Sequence, residues 1–477
     1  MPVKMEQRAA RTATKRIARA RLHREFSATI LPNTELSRQL VSFQASRKSP
    51  MYRWFKYKEG FSAVMVGQLI GRFANQSMGV LLDPFAGAGT SLFAAQAHGW
   101  NGIGIELLPV GRAVFEARLL ASQVDLSGFR RAIDFAATSR WESFFDEDFR
   151  FRHVQITKKA FSRKTEREIA GFLAYCSRHV RDGLVRRLMQ LACMCVLESI
   201  SYTRKDGQYL RWDHRAGKSR TSTFNKGIVP PFQKAIRVKL KEIEDDIRQS
   251  RSMLFPEAGE SGSMDYRLGS CLEILPTFES NCVDLVVTSP PYCNRYDYTR
   301  TYALELVFLG NDDEDIKRLR QAMLSCTVEN REKSEELRKL YERLDREKVF
   351  SDVTNVFQQQ SALHEALDIL QQYRASKKLN NDNIPRMVAN YFFEMSFVIY
   401  ELARILRPGG TVVMVNDNVR YAGEEVPVDL ILSNIAKSFG LTTRHIWTLQ
   451  RGKGNSSQQM GTHGRTELRK CVYVWQK

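Results

Sequence analysis

Two short runs of the sequence combine residue types and spacings that can do chemistry. In Asp83-Pro84-Phe85-Ala86-Gly87-Ala88-Gly89-Thr90 an acid precedes two glycines separated by one residue. Glycines let the backbone pass close to a ligand, and a helix beginning at Thr90 aims unpaired N–H groups at a carboxylate. Glu106 stands where such folds place the acid that binds ribose hydroxyls. A phosphate ligand fits poorly, because no Lys followed by Ser or Thr is present and the third glycine of a dinucleotide fingerprint is missing. Asp83 also occupies the approach of a pyrophosphate, and is expected at the surface of a crevice, facing an ammonium group. S-adenosylmethionine carries an ammonium, a carboxylate and a ribose.

The second run is Thr288-Ser289-Pro290-Pro291-Tyr292. Two consecutive prolines fix the turn, so the Ser289 hydroxyl and the Pro290 carbonyl can present two acceptors to one amino group. Tyr292 offers a face on which a base can stack once it leaves the duplex, and it must leave, because a paired amino group is out of reach of an enzyme pocket. The alternative is a proline-rich turn capping a core strand. Methylation of an exocyclic amine needs no covalent adduct, and no activating partner of Cys293 is visible, so an inert thiol is expected there.

Both runs need a sheet to position them. Gly79 to Pro84 reads as a buried strand, Thr90 to His98 as a helix, and Ile103 to Ile105 as a second strand ending at Glu106, which together make a βαβ unit. The sheet resumes at Tyr266–Leu268 and Val283–Val287. A helix over Val388–Leu406 should stop at Arg407-Pro408-Gly409-Gly410, before a strand at Thr411–Val415. A helix over Asp429–Phe439 and strands at Arg444–Leu449 and Cys471–Trp475 close the pattern. The expected class is α/β, a doubly wound, Rossmann-like sheet interrupted by two largely helical insertions. The segments are a basic arm at 1–50, core at 51–110, a helical insertion at 111–262, core with the second motif at 263–310, a charged helical insertion at 311–384, and core at 385–477. The charge-rich helices of 311–384 read as exposed and solvated. No internal repeat is visible.

A formal net charge of +19 and a pI near 9.6 favour a polyanionic partner. The excess is dense at Arg8, Arg11, Lys15, Arg16, Arg19, Arg21 and Arg24, for which a solvated basic helix is the plain alternative. A presequence is disfavoured by Glu6, Glu25 and Glu35, and no apolar run reaches the roughly 18 residues of a membrane span. The chain reads as soluble and cytoplasmic. Eight cysteines without a CxxC pair indicate neither a disulfide framework nor zinc, and no metal is expected.

With these residues in hand, the sequence resembles the bacterial DNA amino-methyltransferases that modify cytosine N4 or adenine N6. The similarity lies in the DPFxGxGT-like run and the TSPPY run, over roughly 50–110, 262–310 and 385–477. It implies a mostly parallel seven-stranded sheet with a late antiparallel strand. It implies that Asp83, Phe85, Gly87 and Glu106 bind S-adenosylmethionine, with Pro84, Gly89 and Thr90 completing the turn. Ser289, Pro290 and Tyr292 would hold the base, Pro291 completing their turn. The segment Trp54 to Ser62 looks like the element that closes over the methionine end. Ser270 follows Gly269 where relatives often have Asp, so that contact is unassigned.

In the family a Ser at the position of Ser289 goes mostly with cytosine N4, and Asp or Asn mostly with adenine N6. The motif order makes 111–262 the candidate target-recognition region, with Arg204, Lys205, Arg211 and Arg215 as DNA contacts. A surface hairpin without DNA contact is the alternative. The resulting expectation is an S-adenosylmethionine-dependent, site-specific DNA cytosine-N4 methyltransferase of a restriction-modification system, partnered by double-stranded DNA and a companion restriction endonuclease. An adenine-N6 enzyme, an RNA amino-methyltransferase and an inactive cofactor-binding DNA-binding protein stay open beside it.

Overall fold

The structure, a computed structural model, describes residues 17–57, 60–74, 76–206, 209–218, 223–253, 262–449 and 468–477. Arg8, Arg11, Lys15 and Arg16 of the basic arm lie outside the described residues, as do Lys58 and Glu59. The strands, in chain order, are β1 (Ile30–Pro32), β2 (Val80–Asp83), β3 (Asn101–Glu106), β4 (Thr203–Asp206), β5 (Tyr209–Trp212), β6 (Met264–Leu268), β7 (Val283–Thr288), β8 (Leu406–Asp417), β9 (Val419–Tyr421), β10 (Glu424–Val426), β11 (Thr442–Thr448) and β12 (Lys470–Gln476). Eight form one sheet in the order β1-β11-β12-β8-β7-β2-β3-β6. Strand β12 runs antiparallel to both neighbours, and the other adjacent pairs are parallel.

The central strands are nearly continuous apolar runs because both faces are covered. Successive side chains alternate between layers. Leu81, Leu285, Val287 and Val413 pack on the side of the helix Ala63–Phe73. Leu82, Val286, Val412 and Met414 pack on the side of the helices Ile384–Ile405 and Val428–Ser438. From β2 the chain moves to β3 on one side, and from β7 to β8 on the other. The carboxyl ends of β2 and β7 therefore flank the switch point where open α/β sheets gather ligands.

Three features differ from the sequence expectations. The turn at residues 407–410 is drawn into β8 as a bulge: Val283 pairs with Leu406 and Leu285 with Thr411, so the four residues loop out of the ladder. Gly409, at φ +78°, permits the reversal. The short β1, absent from the sequence reading, adds an eighth strand beside β11. The charged helices Ser334–Arg343, Glu347–Gln358 and Ser361–Ala375 do not stand off in solvent. They bury Leu337, Tyr341, Val353, Leu363 and Leu370 in the same core as the helix Ile384–Ile405, while pairs such as Arg338 with Glu335 hold their outer faces in water. The helices of 109–253 instead enclose a separate core around Phe129, Trp141, Phe172, Leu197 and Phe232.

The described part of the basic arm is a docked helix, Ile17–Phe26, that buries Leu22 and Phe26. Arg19 faces the protein: its guanidinium donates to Glu365 at 2.8 Å and to Glu424 at 2.5 Å. The expectation that Arg19 serves a polyanion is thus corrected, because two carboxylates of the chain already neutralise it. Arg21 and Arg24 remain exposed. Since Glu424 is nearly fully buried, Arg19→Ala should remove a buried charge-to-charge contact and cost roughly 3 kcal/mol of stability. Urea unfolding of the variant checks this, and an unchanged midpoint would mean that the contact is dispensable.

Candidate active site

The cofactor turn begins where β2 ends. Gly87 and Gly89 take φ of +53° and +75°, conformations open to glycine, and Gly89 starts the helix Thr90–Ala97. A Cβ on Gly87 would meet the Tyr57 ring at 2.9 Å, and one on Gly89 would meet Phe115 at 2.5 Å. The turn is therefore packed on both flanks. Glu106, at the end of β3, accepts from the backbone N–H of Gly87 and of Leu108, each at 2.8 Å. Tyr266 of β6 donates its hydroxyl to the Gly87 carbonyl at 2.6 Å. Burial pushes the Glu106 carboxyl up to about 7, against the pull of these two N–H donors.

Asp83 is placed differently from expectation. It is 1% exposed and accepts from the Phe85 N–H at 3.1 Å, the Ser91 hydroxyl at 2.7 Å and the Thr288 hydroxyl at 2.8 Å. Burial raises it to about 6, with the three donors pulling the other way. A carboxylate this deep persists only when hydrogen-bonded, so Asp83 belongs to the frame of the site as well as to its wall, and is not a crevice-surface residue.

The bond from Thr288 leads directly into the second run. Ser289 is partly exposed, and its hydroxyl donates to the Tyr292 hydroxyl at 3.2 Å. Tyr292 itself is 8% exposed, folded against the turn. Cys293 is fully buried, burial pushes its thiol well up, and its carbonyl accepts from the Tyr421 hydroxyl at 2.5 Å. A thiol so placed stays protonated.

One cleft of about 950 Å³, counted out to its open mouth, joins the two runs. Asp83, Pro84, Phe85, Gly87, Thr90 and Glu106 line it together with Ser289 and Pro291, while Gly89, Pro290 and Tyr292 do not contribute to its lining. Phe55, Tyr57 and Phe61 of the preceding segment complete one side. Ser270, unassigned from sequence, also lines the cleft, beside Gly269 and Cys271. Sequence reasoning missed Arg118 and Tyr298. For Arg118 a signal existed, since it falls four residues after Val114 on the buried side of the helix Pro109–Leu120.

The expected DNA contacts separate into two groups. Lys205 is a correction: it is buried, its ammonium lies 2.5 Å from the buried Glu305 carboxylate, and it sits over the rings of Phe55 and Tyr302. Alternation along β4 turns it inward while its neighbour Arg204 points out. Arg215 chelates Asp213 through Nε and Nη2 at 2.7 and 2.9 Å. Arg204 and Arg211, paired across the β4–β5 hairpin, are exposed and lie over the Phe224 ring at 5.7 and 4.3 Å. Gly207 and Gln208 lie outside the described residues.

A mostly parallel sheet with one antiparallel strand, and a glycine turn and acid at its switch point, define the fold class of the S-adenosylmethionine-dependent methyltransferases. The donor chemistry fits that cofactor: Glu106, held by two backbone N–H groups, keeps lone pairs for hydroxyl donors. The chain is 46% identical over 459 residues to the Type II methyltransferase M.AvaI of Anabaena variabilis, which covers 96% of this chain and 92% of the relative. It is 38% identical over 478 residues to the Type II methyltransferase M.BsoBI of Geobacillus stearothermophilus, covering 97% and 92%. A more distant likeness, 20% over 439 residues, is to the Type II methyltransferase M.MvaI of Kocuria varians. No family model matches the chain, and no solved structure matches it significantly. The chain belongs to the Type II DNA methyltransferases of restriction-modification systems, and its methyl donor is S-adenosylmethionine.

Burial raises Glu106 from an ordinary 4.5 to about 7, so its neutral form stabilises the fold below pH 4.5 and that contribution is lost as the pH rises through about 7. The ionised form is the better acceptor for hydroxyl groups. Affinity for S-adenosylhomocysteine should therefore tighten as the pH rises through about 7, and Glu106→Gln should flatten the profile. Calorimetric titration across that range checks it, and a flat profile for the unsubstituted chain would remove Glu106 from ribose binding.

Proposed function

We propose that the chain transfers a methyl group from S-adenosylmethionine to the exocyclic N4 of cytosine at a specific DNA site, as the modification member of a restriction-modification pair acting in the prokaryotic cytoplasm. The carrying observation is the shared cleft: Ser289 and the cofactor turn face one space, and the Thr288 hydroxyl ties their two strands together at Asp83. When bound, the cofactor supplies an electrophilic methyl group. The protein supplies geometry. Ser289 Oγ and the Pro290 carbonyl accept from the amino group of an extruded base, which draws the nitrogen lone pair out of conjugation with the ring and aims it at the methyl carbon; the nitrogen–methyl bond would form as the methyl–sulfur bond breaks, with S-adenosylhomocysteine as the leaving group and one amino proton passing to solvent. Holding both reactants in one orientation accounts for most of the acceleration. Ser289 donates to the Tyr292 hydroxyl and so keeps its oxygen lone pairs for the base amino group, while Tyr292 must swing from its buried position to offer a stacking face.

The direct route is supported by Cys293, whose buried and protonated thiol is unsuited to attack on a pyrimidine ring. Cytosine N4 rather than adenine N6 is supported by the neutral hydroxyl of Ser289, where a carboxylate or amide accompanies adenine in the family. DNA contact falls to the β4–β5 hairpin, with Arg204 and Arg211 toward the phosphates and Arg215 held on Asp213. Two exposed arginines beside the Phe224 ring suit contact with a phosphate backbone.

Ser289→Ala should lower the single-turnover methylation rate by roughly a hundredfold while leaving DNA affinity nearly unchanged, because the lost hydrogen bond strengthens only as the nitrogen rehybridises. Mass spectrometry of nucleosides from modified DNA identifies the product. N6-methyladenine would overturn the base and keep the mechanism, and 5-methylcytosine would overturn both.

A further inference from the structure

We propose that Arg118 is the anchor for the α-carboxylate at the amino-acid end of the methyl donor, an inference that rests on the cofactor lying in the cleft described above. Arg118 is 3% exposed and lines that cleft. Its Nε donates to the Met51 carbonyl at 3.1 Å, Nη1 to the Ala88 carbonyl at 3.0 Å and Nη2 to the Tyr52 carbonyl at 3.1 Å. The guanidinium also lies 4.9 Å from the centre of the Tyr52 ring. A guanidinium carries five N–H donors, so three bonds to neutral carbonyls leave donors over.

What sets Arg118 apart is its missing counter-ion. The other buried cations among the described residues sit on buried carboxylates, Lys205 on Glu305 and Lys333 on Glu394. No carboxylate among the described residues forms an ion pair with Arg118. A charge removed from water without an opposite partner is costly to the fold, and burial pulls this guanidinium down only to about 10, so it stays protonated at neutral pH. The protein therefore carries an uncompensated positive charge at the wall of its cofactor cleft.

Position decides which part of the ligand meets it. The carbonyl of Ala88 belongs to the glycine turn, next to the N-terminus of the helix Thr90–Ala97, where free backbone N–H groups add a second attraction for an anion. Glu106, the acid suited to the ribose, is on the other arm of the turn, bonded to Gly87. A ligand whose ribose meets Glu106 carries its amino-acid end toward Ala88 and Arg118. There the incoming carboxylate supplies the counter-ion that the free protein lacks, forming a charge-assisted and, with a guanidinium, bidentate contact. Because Arg118 also holds the carbonyls of Met51 and Tyr52, it joins the segment preceding the cofactor strand to the glycine turn at the point where the ligand's charge arrives.

The discriminating experiment compares two ligands that share the adenosine and thioether groups. S-adenosylhomocysteine has the amino-acid end and 5′-methylthioadenosine lacks it. Both are titrated calorimetrically into the unsubstituted chain, Arg118→Gln, which can still donate to carbonyls but carries no charge, and Arg118→Lys. The expected result is a loss of about thirtyfold for S-adenosylhomocysteine in Arg118→Gln, less than about threefold for 5′-methylthioadenosine, and partial recovery in Arg118→Lys. Retained binding of 5′-methylthioadenosine also shows that the variant is folded. Equal losses for both ligands would make Arg118 a structural clamp only, and an unchanged affinity for S-adenosylhomocysteine would remove it from the site; either overturns the proposal. If the unsubstituted chain bound neither ligand, the placement of the cofactor in this cleft would itself fall.

Discussion

The hydrogen bond from the Thr288 hydroxyl to Asp83 is the contact on which the site depends. It joins the carboxyl ends of β2 and β7, the neighbouring strands from which the chain departs in opposite directions. With Ser91 closing on the other carboxylate oxygen, it makes a three-residue lock inside the core. A carboxylate there is costly unless its oxygens are occupied. The polar lock thus holds the cofactor turn and the Ser289 turn at a set separation, and the cleft between them follows from where those two strands end.

Around the lock, aromatic packing carries position outward. Tyr57 lies against Gly87 and stacks on Tyr302 at 5.1 Å, and Tyr302 in turn packs against Phe55 at 6.0 Å. The Lys205 ammonium rests on Phe55 and Tyr302 and pairs with Glu305. A residue first read as a phosphate contact is therefore the post that mounts the β4–β5 hairpin on the wall of the cofactor cleft. Its outward neighbours, Arg204 and Arg211, are presented from a base joined through Phe55 and Tyr302 to the glycine turn.

The two insertions do different physical work. The helices of 109–253 bury their own core, which also takes in Phe55, Leu108 and Tyr302 from the segments beside the cleft, so they form a largely self-supporting body. The helices of 334–375 have no core of their own and share that of the helix Ile384–Ile405. Two internal ion pairs bind this second group to the same helix, Lys333 to Glu394 and Arg346 to Glu401. Removing one partner of such a pair leaves a buried charge exposed to apolar surroundings.

The order of strands and helices, the class of fold and the two chemical runs were legible in the sequence because each is local. Apolar runs of strand length, glycines at Gly87 and Gly89, and prolines after Ser289 act over a few residues, and period and turn chemistry report them directly. What the sequence alone left undecided concerns partners distant along the chain. Asp83 looks like a surface acid until Thr288 arrives from 205 residues away. Lys205 looks like a phosphate contact until Glu305 meets it, and Arg19 like part of a basic arm until Glu365 and Glu424 close on it. The charge-rich helices of 334–375 look solvated because charge density hides the few apolar positions, such as Leu337, Tyr341 and Leu363, that decide their packing. A charged side chain has the same letter whether it meets water, a phosphate or a buried carboxylate, and only the tertiary structure chooses among them, since the cost of burial depends on what the rest of the chain places within hydrogen-bonding distance.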